Sequence, residues 1–290
     1  MVQQLIVFTL TKGGVYALLA VGFSLIFGVA RLINMAHTAF YMVAAYCIWY
    51  FGAQLGLGVV ESGIIAVVIA TLLGTLSYRF VIDRIREHHA AVLLVTLAMA
   101  VFLEQLMFIL FRGTYQSVPP YVSGFVEILG IRVPAQNMLT IGIVAVIIIA
   151  IWLLLSKTKL GIAIRATAQD AEIANLMGIS ISRVLLITMG IATFLGAIAG
   201  VTRAPSIIIT PTLWNSPLVT VMVIVVLGGL GSIKGSIIGA FIIGFVETLV
   251  LLKFPGGDYL ATTFVLLAMV IVLVVRPGGL FGILFEEERL

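Results

Sequence analysis

The sequence predicts an all-α polytopic membrane protein, a bundle of about eight or nine transmembrane helices with its N-terminus outside and its C-terminus inside. Three observations carry that expectation. Hydrophobic residues make up 62% of the 290 and charged residues only 10%, with a mean hydropathy of +1.27; soluble domains run near 25% charged. Apolar runs of about 17 residues or more recur along the chain, enough to cross roughly 30 Å of hydrocarbon as helix. None of these runs alternates polar and apolar residues, which excludes a lipid-embedded β-barrel and leaves helices that close their own backbone hydrogen bonds.

Nine candidate spans follow in order: 5–30, 38–56, 60–78, 91–111, 139–156, 184–203, 217–231, 235–252 and 259–275. The first has no basic flank before it and no small-residue cleavage site after it. It is also longer than a signal-peptide core, so it reads as a retained span. Between the second and third spans the only break is Gly52, Gly56 and Gly58. The seventh run is short and ends in Gly228, Gly229 and Gly231, which leaves a half-helix, a re-entrant piece and a full crossing all open. Glycines recur at helix-packing spacing, Gly196 with Gly200 and Gly231 with Gly235 and Gly239, where small residues let helix backbones approach. Cys47 is the sole cysteine, so no intrachain disulfide forms, and it reads as a small buried hydrophobe.

Alternating the loops sorts the 16 lysines and arginines into two sets. Eleven (Arg31, Arg79, Arg84, Arg86, Lys157, Lys159, Arg165, Arg183, Lys234, Arg276 and Arg289) fall on one side, and Lys12, Arg112, Arg132, Arg203 and Lys253 on the other. By the positive-inside rule the larger set is cytoplasmic. The net charge of +4 therefore reports topology rather than nucleic-acid binding. The loop at 157–183 is then cytoplasmic, and the longest outside loop, 112–136, lies on the membrane surface.

The 157–183 loop is the one substantial polar segment. Asp170 is a good N-cap and Gly178 a good C′ residue around a helix of about two turns, AEIANLM. Ile162, Ala166, Ile173 and Leu176 recur near helical spacing, while Arg165, Gln169, Asp170, Glu172 and Asn175 supply polar contacts, and Ser182 is placed to cap the next span. Two short helices along the membrane surface fit this pattern. Whether they rest in lipid headgroups or receive a cytoplasmic protein stays open, although two acids and an amide suit a protein partner better than anionic lipid.

Within the spans, ionisable and amide groups are costly and tend to face a cavity or a partner. Glu104 and Gln105 in the fourth span and Glu247 in the eighth are candidates for a translocation path. So are Asn34 and His37, which close the first long helix at a break. Arg203, at the outer end of the sixth span, reads as snorkelling to the interface. Segment 228–236, GGLGSIKGS, is not a phosphate-binding loop, because Lys234 is followed by Gly235 rather than Ser or Thr. His88 and His89 are adjacent, so they cannot face one metal from one helix turn, and no hydrolase arrangement is present. No catalytic or metal-binding residue is expected.

Three motifs in order resemble the permease subunits of branched-chain amino-acid ABC importers, the LivH/LivM type. They are GGVYALLAVGFSLIFGVARLINMAH at 13–37, RATAQDAEIANLMGI at 165–179 and VLGGLGSIKGSIIGAFIIGFVE at 226–247. The resemblance covers nearly the whole length and implies a single transmembrane permease domain, 1–290, in a prokaryotic inner membrane. It implies that 157–183 is a coupling loop, with Arg165, Gln169, Asp170, Glu172, Ile173, Leu176 and Gly178 meeting an ATPase. It also implies a second permease chain, identical or related, two cytoplasmic ATPase subunits that bind ATP and Mg2+, and an extracytoplasmic substrate-binding protein. This chain would then hold no cofactor of its own. Two departures stand out. Thr38 and Ala39 replace a Gly-Glu pair that often follows the histidine, so that acid's role does not carry over; Lys234 stands where the pattern has proline. A secondary carrier driven by protons or sodium through Glu104 or Glu247 is the competing reading, and a membrane scaffold or receptor a third.

Overall fold

In the computed structural model, which describes residues 2–128, 131–254, 256–276 and 278–281, every long apolar run forms a helix. α1 spans Val2–Ala30 and α2 His37–Trp49, prolonged by a π turn at Tyr50–Gln54. α3 (Val59–Ser77) continues through a second π turn, Tyr78–Ile82, into α4 (Asp83–Ile85), and α5 follows at His89–Phe111. A hairpin of β1 (Phe125–Ile128) and β2 (Ile131–Pro134) precedes α6 (Ala135–Lys157). The short helices α7 (Lys159–Gln169) and α8 (Ala171–Leu176) lead to α9 (Ile181–Arg203). Then come α10 (Asn215–Gly228), α11 (Ile233–Lys253) and α12 (Gly257–Val275). Six described helices are long and apolar enough to cross a membrane, while the apolar helices Asn215–Gly228 and Leu260–Val275 are shorter.

α2 is the axis. Every residue in it except Cys47 is buried, which is what a helix apolar all round requires. Small residues set how closely its neighbours approach. Gly200 of α9 lies against the Tyr41 carbonyl, with no room for a Cβ, and Gly196 sits beside His37, so α2 and α9 run parallel. α1 packs antiparallel to α11, Gly13 on Gly244, and Gly28 meets Gly231 in the turn just before α11. α3 runs against α9, Gly74 meeting Thr193. An aromatic cluster ties the far end of α2 to α5: Tyr46 stacks on Phe111 at 4.9 Å, and Trp49 meets the same ring edge-on at 5.4 Å. α5 otherwise presents large apolar side chains outward, Phe102 and Ile109 among them.

α10 is only 14 residues long, and Gly229 and Gly231 follow it with φ of +99° and +82°. Its last carbonyls are not left bare. The chain's later tail reaches back, Leu280 N–H donating to Leu227 O at 2.8 Å and Phe281 N–H to Gly228 O at 3.1 Å.

The described residues are mostly helical, as expected of a polytopic helical membrane protein, with one short addition: β1 and β2 pair antiparallel with Glu127 opposite Arg132, a favourable cross-strand charge pair. Two expectations need correcting. The third apolar helix does not stop at 78 but continues to Ile85, taking Arg79 and Arg84 out of the expected loop. Asp83 accounts for that: Arg79 lies 3.6 Å and Arg86 3.1 Å from its carboxylate, at spacings that favour helix. Ser182 does not cap α9. Its hydroxyl donates to Asp83 at 3.2 Å, and the N-cap residue of α9 is Ser180, which makes no side-chain cap. Arg289, counted for topology, lies outside the described residues.

Candidate functional site

The 157–183 segment is built by local caps. Thr158 Oγ1 accepts from the Gly161 N–H at 3.1 Å and donates to Leu154 O at 2.6 Å, fixing the corner between α6 and α7. Asp170 ends α7 and begins α8, its carboxylate accepting from the Ile173 N–H at 2.9 Å. Gly178, at φ +85°, closes α8 in a Schellman motif: Ile179 N–H donates to Ala174 O at 3.0 Å and Gly178 N–H to Asn175 O at 2.9 Å. Only Ala174 of α8 is buried. Leu176 is 85% exposed and Met177 80%, with Ile173 beside them, so a rigid corner holds an apolar tip out of the bundle. Gln169, Asp170, Glu172 and Gly178 are exposed around it. Arg165 is exposed but turned back, its guanidinium donating to Leu155 O at the end of α6.

The five intramembrane candidates fall in three places. Asn34 and His37 form the entrance to α2. The Asn34 carbonyl oxygen of the side chain accepts from the Ala36 N–H at 3.0 Å, and His37 Nε2 lies 3.0 Å from Leu19 O. A carbonyl only accepts, so Nε2 carries the proton. The ring is fully buried, edge-on to Phe23 and between Gly22 and Gly196, and it pins α1, α2 and α9 together. Glu104 accepts from the Trp214 indole N–H at 2.6 Å, tying α5 to the residue before α10. Gln105, next to it, is exposed on the outer face of α5. Glu247 joins neither group. It pairs with Lys12 of α1 at 3.5 Å, both side chains under a fifth exposed.

That pair marks a second region, at the end of the bundle carrying the β hairpin. Tyr16 lies within electrostatic reach of Glu247 and Arg203, and Tyr41 of Arg203. Two cavities meet there. One of about 510 Å³ opens among Phe8, Pro120, Phe125 and Gln136; the other, about 310 Å³, lies between α1, α2, α9 and the segment leading into α10. Lys12 and Arg203 line both. Tyr121 roofs this end, its hydroxyl donating to Val201 O at 2.6 Å, and burial holds its phenol proton well above the usual value. In the sequence Lys12 and Arg203 enter only as basic residues of the outer side, Arg203 as one that snorkels to the interface, and Tyr16 and Tyr41 do not stand out. One signal was available, a lysine and a glutamate each set alone inside an apolar span.

The two regions share a helix. α8 is followed after a few residues by α9, and α9 ends at Arg203. At 1.5 Å per residue its 23 residues make a rod of roughly 34 Å. Among the described residues no three His, Cys, Asp or Glu side chains converge as a metal site would require.

Residues 5–275 match the family described as "Branched-chain amino acid transport system / permease component". The high-affinity branched-chain amino acid transport system permease protein BraD of Pseudomonas aeruginosa is 26% identical, over 96% of this chain and 95% of that protein. LivH of Escherichia coli, a permease protein of the same description, is 28% identical over 94% and 92%. Among solved structures, a chain of PsaBC from Streptococcus pneumoniae in complex with Fab superposes with a TM-score of 0.53 over 93% of this chain and 91% of that one. At 15% identity this likeness speaks to fold.

Proposed function

The chain belongs to the branched-chain amino acid transport permease family, and from that membership we propose that two such chains, identical or related, line a pore for branched-chain amino acids. It is the membrane permease subunit of an ATP-binding-cassette importer. In this reading an extracytoplasmic binding protein delivers the substrate, and each of two ATPase subunits receives one α7–α8 corner and hydrolyses ATP with Mg2+. The observation that carries it is the apolar tip of Ile173, Leu176 and Met177, held out by caps on both sides in a chain whose residues 5–275 match such permeases.

The chain crosses a prokaryotic inner membrane nine times in this reading, with α2 and α10 as the short members, the N-terminus outside and α7 and α8 in the cytoplasm. Eleven basic residues against five support that orientation, and α1 antiparallel to α11, with α2 parallel to α9, fits that order of crossings. When ATP closes the ATPases, α8 shifts and α9 carries the shift toward Arg203. The Ser182–Asp83 hydrogen bond engages α4 in the same movement. A rod between packed helices moves as a unit, so a small displacement at α8 favours one of two bundle arrangements. A gradient-driven carrier would need an acid free to trade its proton. Glu247 is held by Lys12 and Glu104 by Trp214, which favours neither for that task.

Gentle detergent extraction tests the assembly. Two ATPase subunits are expected to co-purify with the permease, and Leu176→Asp is expected to release them. Extraction of the permease alone under conditions that preserve its fold would contradict the reading.

A further inference from the structure

We propose that the 310 Å³ cavity beside α10 is a carboxylate-recognition site on the substrate's path, with Arg203 as the anion-binding group and an apolar wall for the substrate's side chain. The inference rests on the permease reading above and assigns the chemistry by which this chain holds its cargo. Four independent features converge.

The first is charge. Among the described residues, Lys12 and Arg203 line the cavity and no acid does. Glu247 stands behind Lys12 at 3.5 Å and offsets that cation, so the charge the cavity offers a ligand is that of Arg203. The second is Arg203 itself. Among the described residues its guanidinium makes no hydrogen bond or ion pair, although the side chain is half-buried and faces two cavities. A planar fork of five N–H donors without an acceptor is matched by a carboxylate, which accepts two parallel bonds.

The third is the start of α10. Ser216 and Pro217, in its first turn, line the same cavity. The N-terminal end of a helix carries partial positive charge, and short helices that begin inside a membrane protein direct that end at anionic substrate groups. Trp214 fixes this end in place through its bond to Glu104. The fourth is the remaining wall. Val15, Leu19, Ile207 and Leu213 are apolar, while the Tyr16, Tyr41, Thr210 and Thr212 hydroxyls offer neutral acceptors. A ligand with a carboxylate at one end and an aliphatic tail fits that division. An ammonium group would find only neutral oxygens.

The same placement explains why the cations line both cavities. A carboxylate arriving through the 510 Å³ vestibule meets Lys12 and Arg203 first and is passed inward without leaving their field.

The test uses the assembled complex of permease, ATPases and binding protein in proteoliposomes, with leucine as the probe. Arg203→Gln is expected to cut leucine uptake on the order of ten- to a hundredfold, the range of one charge-assisted pair. Arg203→Lys, which keeps the charge and loses the fork, is expected to retain an intermediate rate. On the complex without its binding protein, 4-methylpentanoate should displace leucine and isoamylamine should not, and Arg203→Gln should abolish the displacement by the acid. Full leucine uptake by Arg203→Gln, or displacement by the amine as strong as by the acid, would overturn the site while leaving the permease reading intact. Failure of the unaltered complex to take up leucine would remove the permease reading and the site together. If Arg203→Gln does not assemble, Arg203→Lys and the competition experiment on the unaltered complex decide.

Discussion

At the α7–α8 corner the groups that matter are exposed and held by their own neighbours in the chain. At the hairpin end they are half-buried and held by residues from the opposite end of the sequence. Asp170 and Gly178 define α8 through hydrogen bonds spanning three to five residues, and the helix does not need the bundle to form its ends. Lys12 and Glu247 meet because α1 and α11 pack antiparallel in one register. The contrast shows where each region is vulnerable. The corner tolerates changes to its fold but not to its tip, and the charged cluster tolerates little that disturbs packing.

The largest expected effect lies at the tip. Leu176→Asp places a charge where an apolar group would enter a partner's cleft, and Asp170→Lys reverses the neighbouring charge. Either should lower ATP-driven uptake about tenfold or more while the purified permease melts near the unaltered temperature. Unchanged uptake in both variants would erase the functional half of the comparison.

Breaking the charged pair comes next. Lys12→Gln leaves Glu247 without its cation in a mostly buried setting, at a cost on the order of 3 kcal/mol. Lys12→Gln with Glu247→Gln should recover much of that loss, read as a double-mutant cycle of thermal melts in detergent. Additive losses would mean the two side chains act separately. Packing is the third test. Gly200→Val drives a branched side chain into the Tyr41 carbonyl and should cost about 1–3 kcal/mol with uptake reduced in proportion. The smallest effect returns to the corner: Asp170→Ala removes one cap and should cost about 1 kcal/mol, seen as faster amide exchange confined to α8. Exchange spreading into α9 would show that the corner is not locally held.

The same contrast explains what was legible in the sequence. The apolar runs show as helices because lipid permits little else, and Asp170 and Gly178 show as caps because capping chemistry is local. The end of the third helix was misjudged because the Asp83 ion pairs that prolong it outweigh the polar composition of 79–86. The hairpin was missed because two four-residue strands carry too short an alternation to stand out. Glu247 could be flagged as an unusual acid, but its grouping with Lys12, Tyr16 and Arg203 depends on which helices touch. His37 drew notice as a path residue; the structure makes it a buried pin, and nothing in its immediate sequence distinguishes those roles.

The central claim is that nucleotide energy enters at α8 and is used on a substrate at the other end of α9. Leucine accumulation in proteoliposomes without any ion gradient tests it most directly. The account predicts accumulation only when ATP, the ATPase subunits and the binding protein are all present, and its loss in Leu176→Asp. Accumulation by the permease chain alone, driven by a proton or sodium gradient, would contradict it.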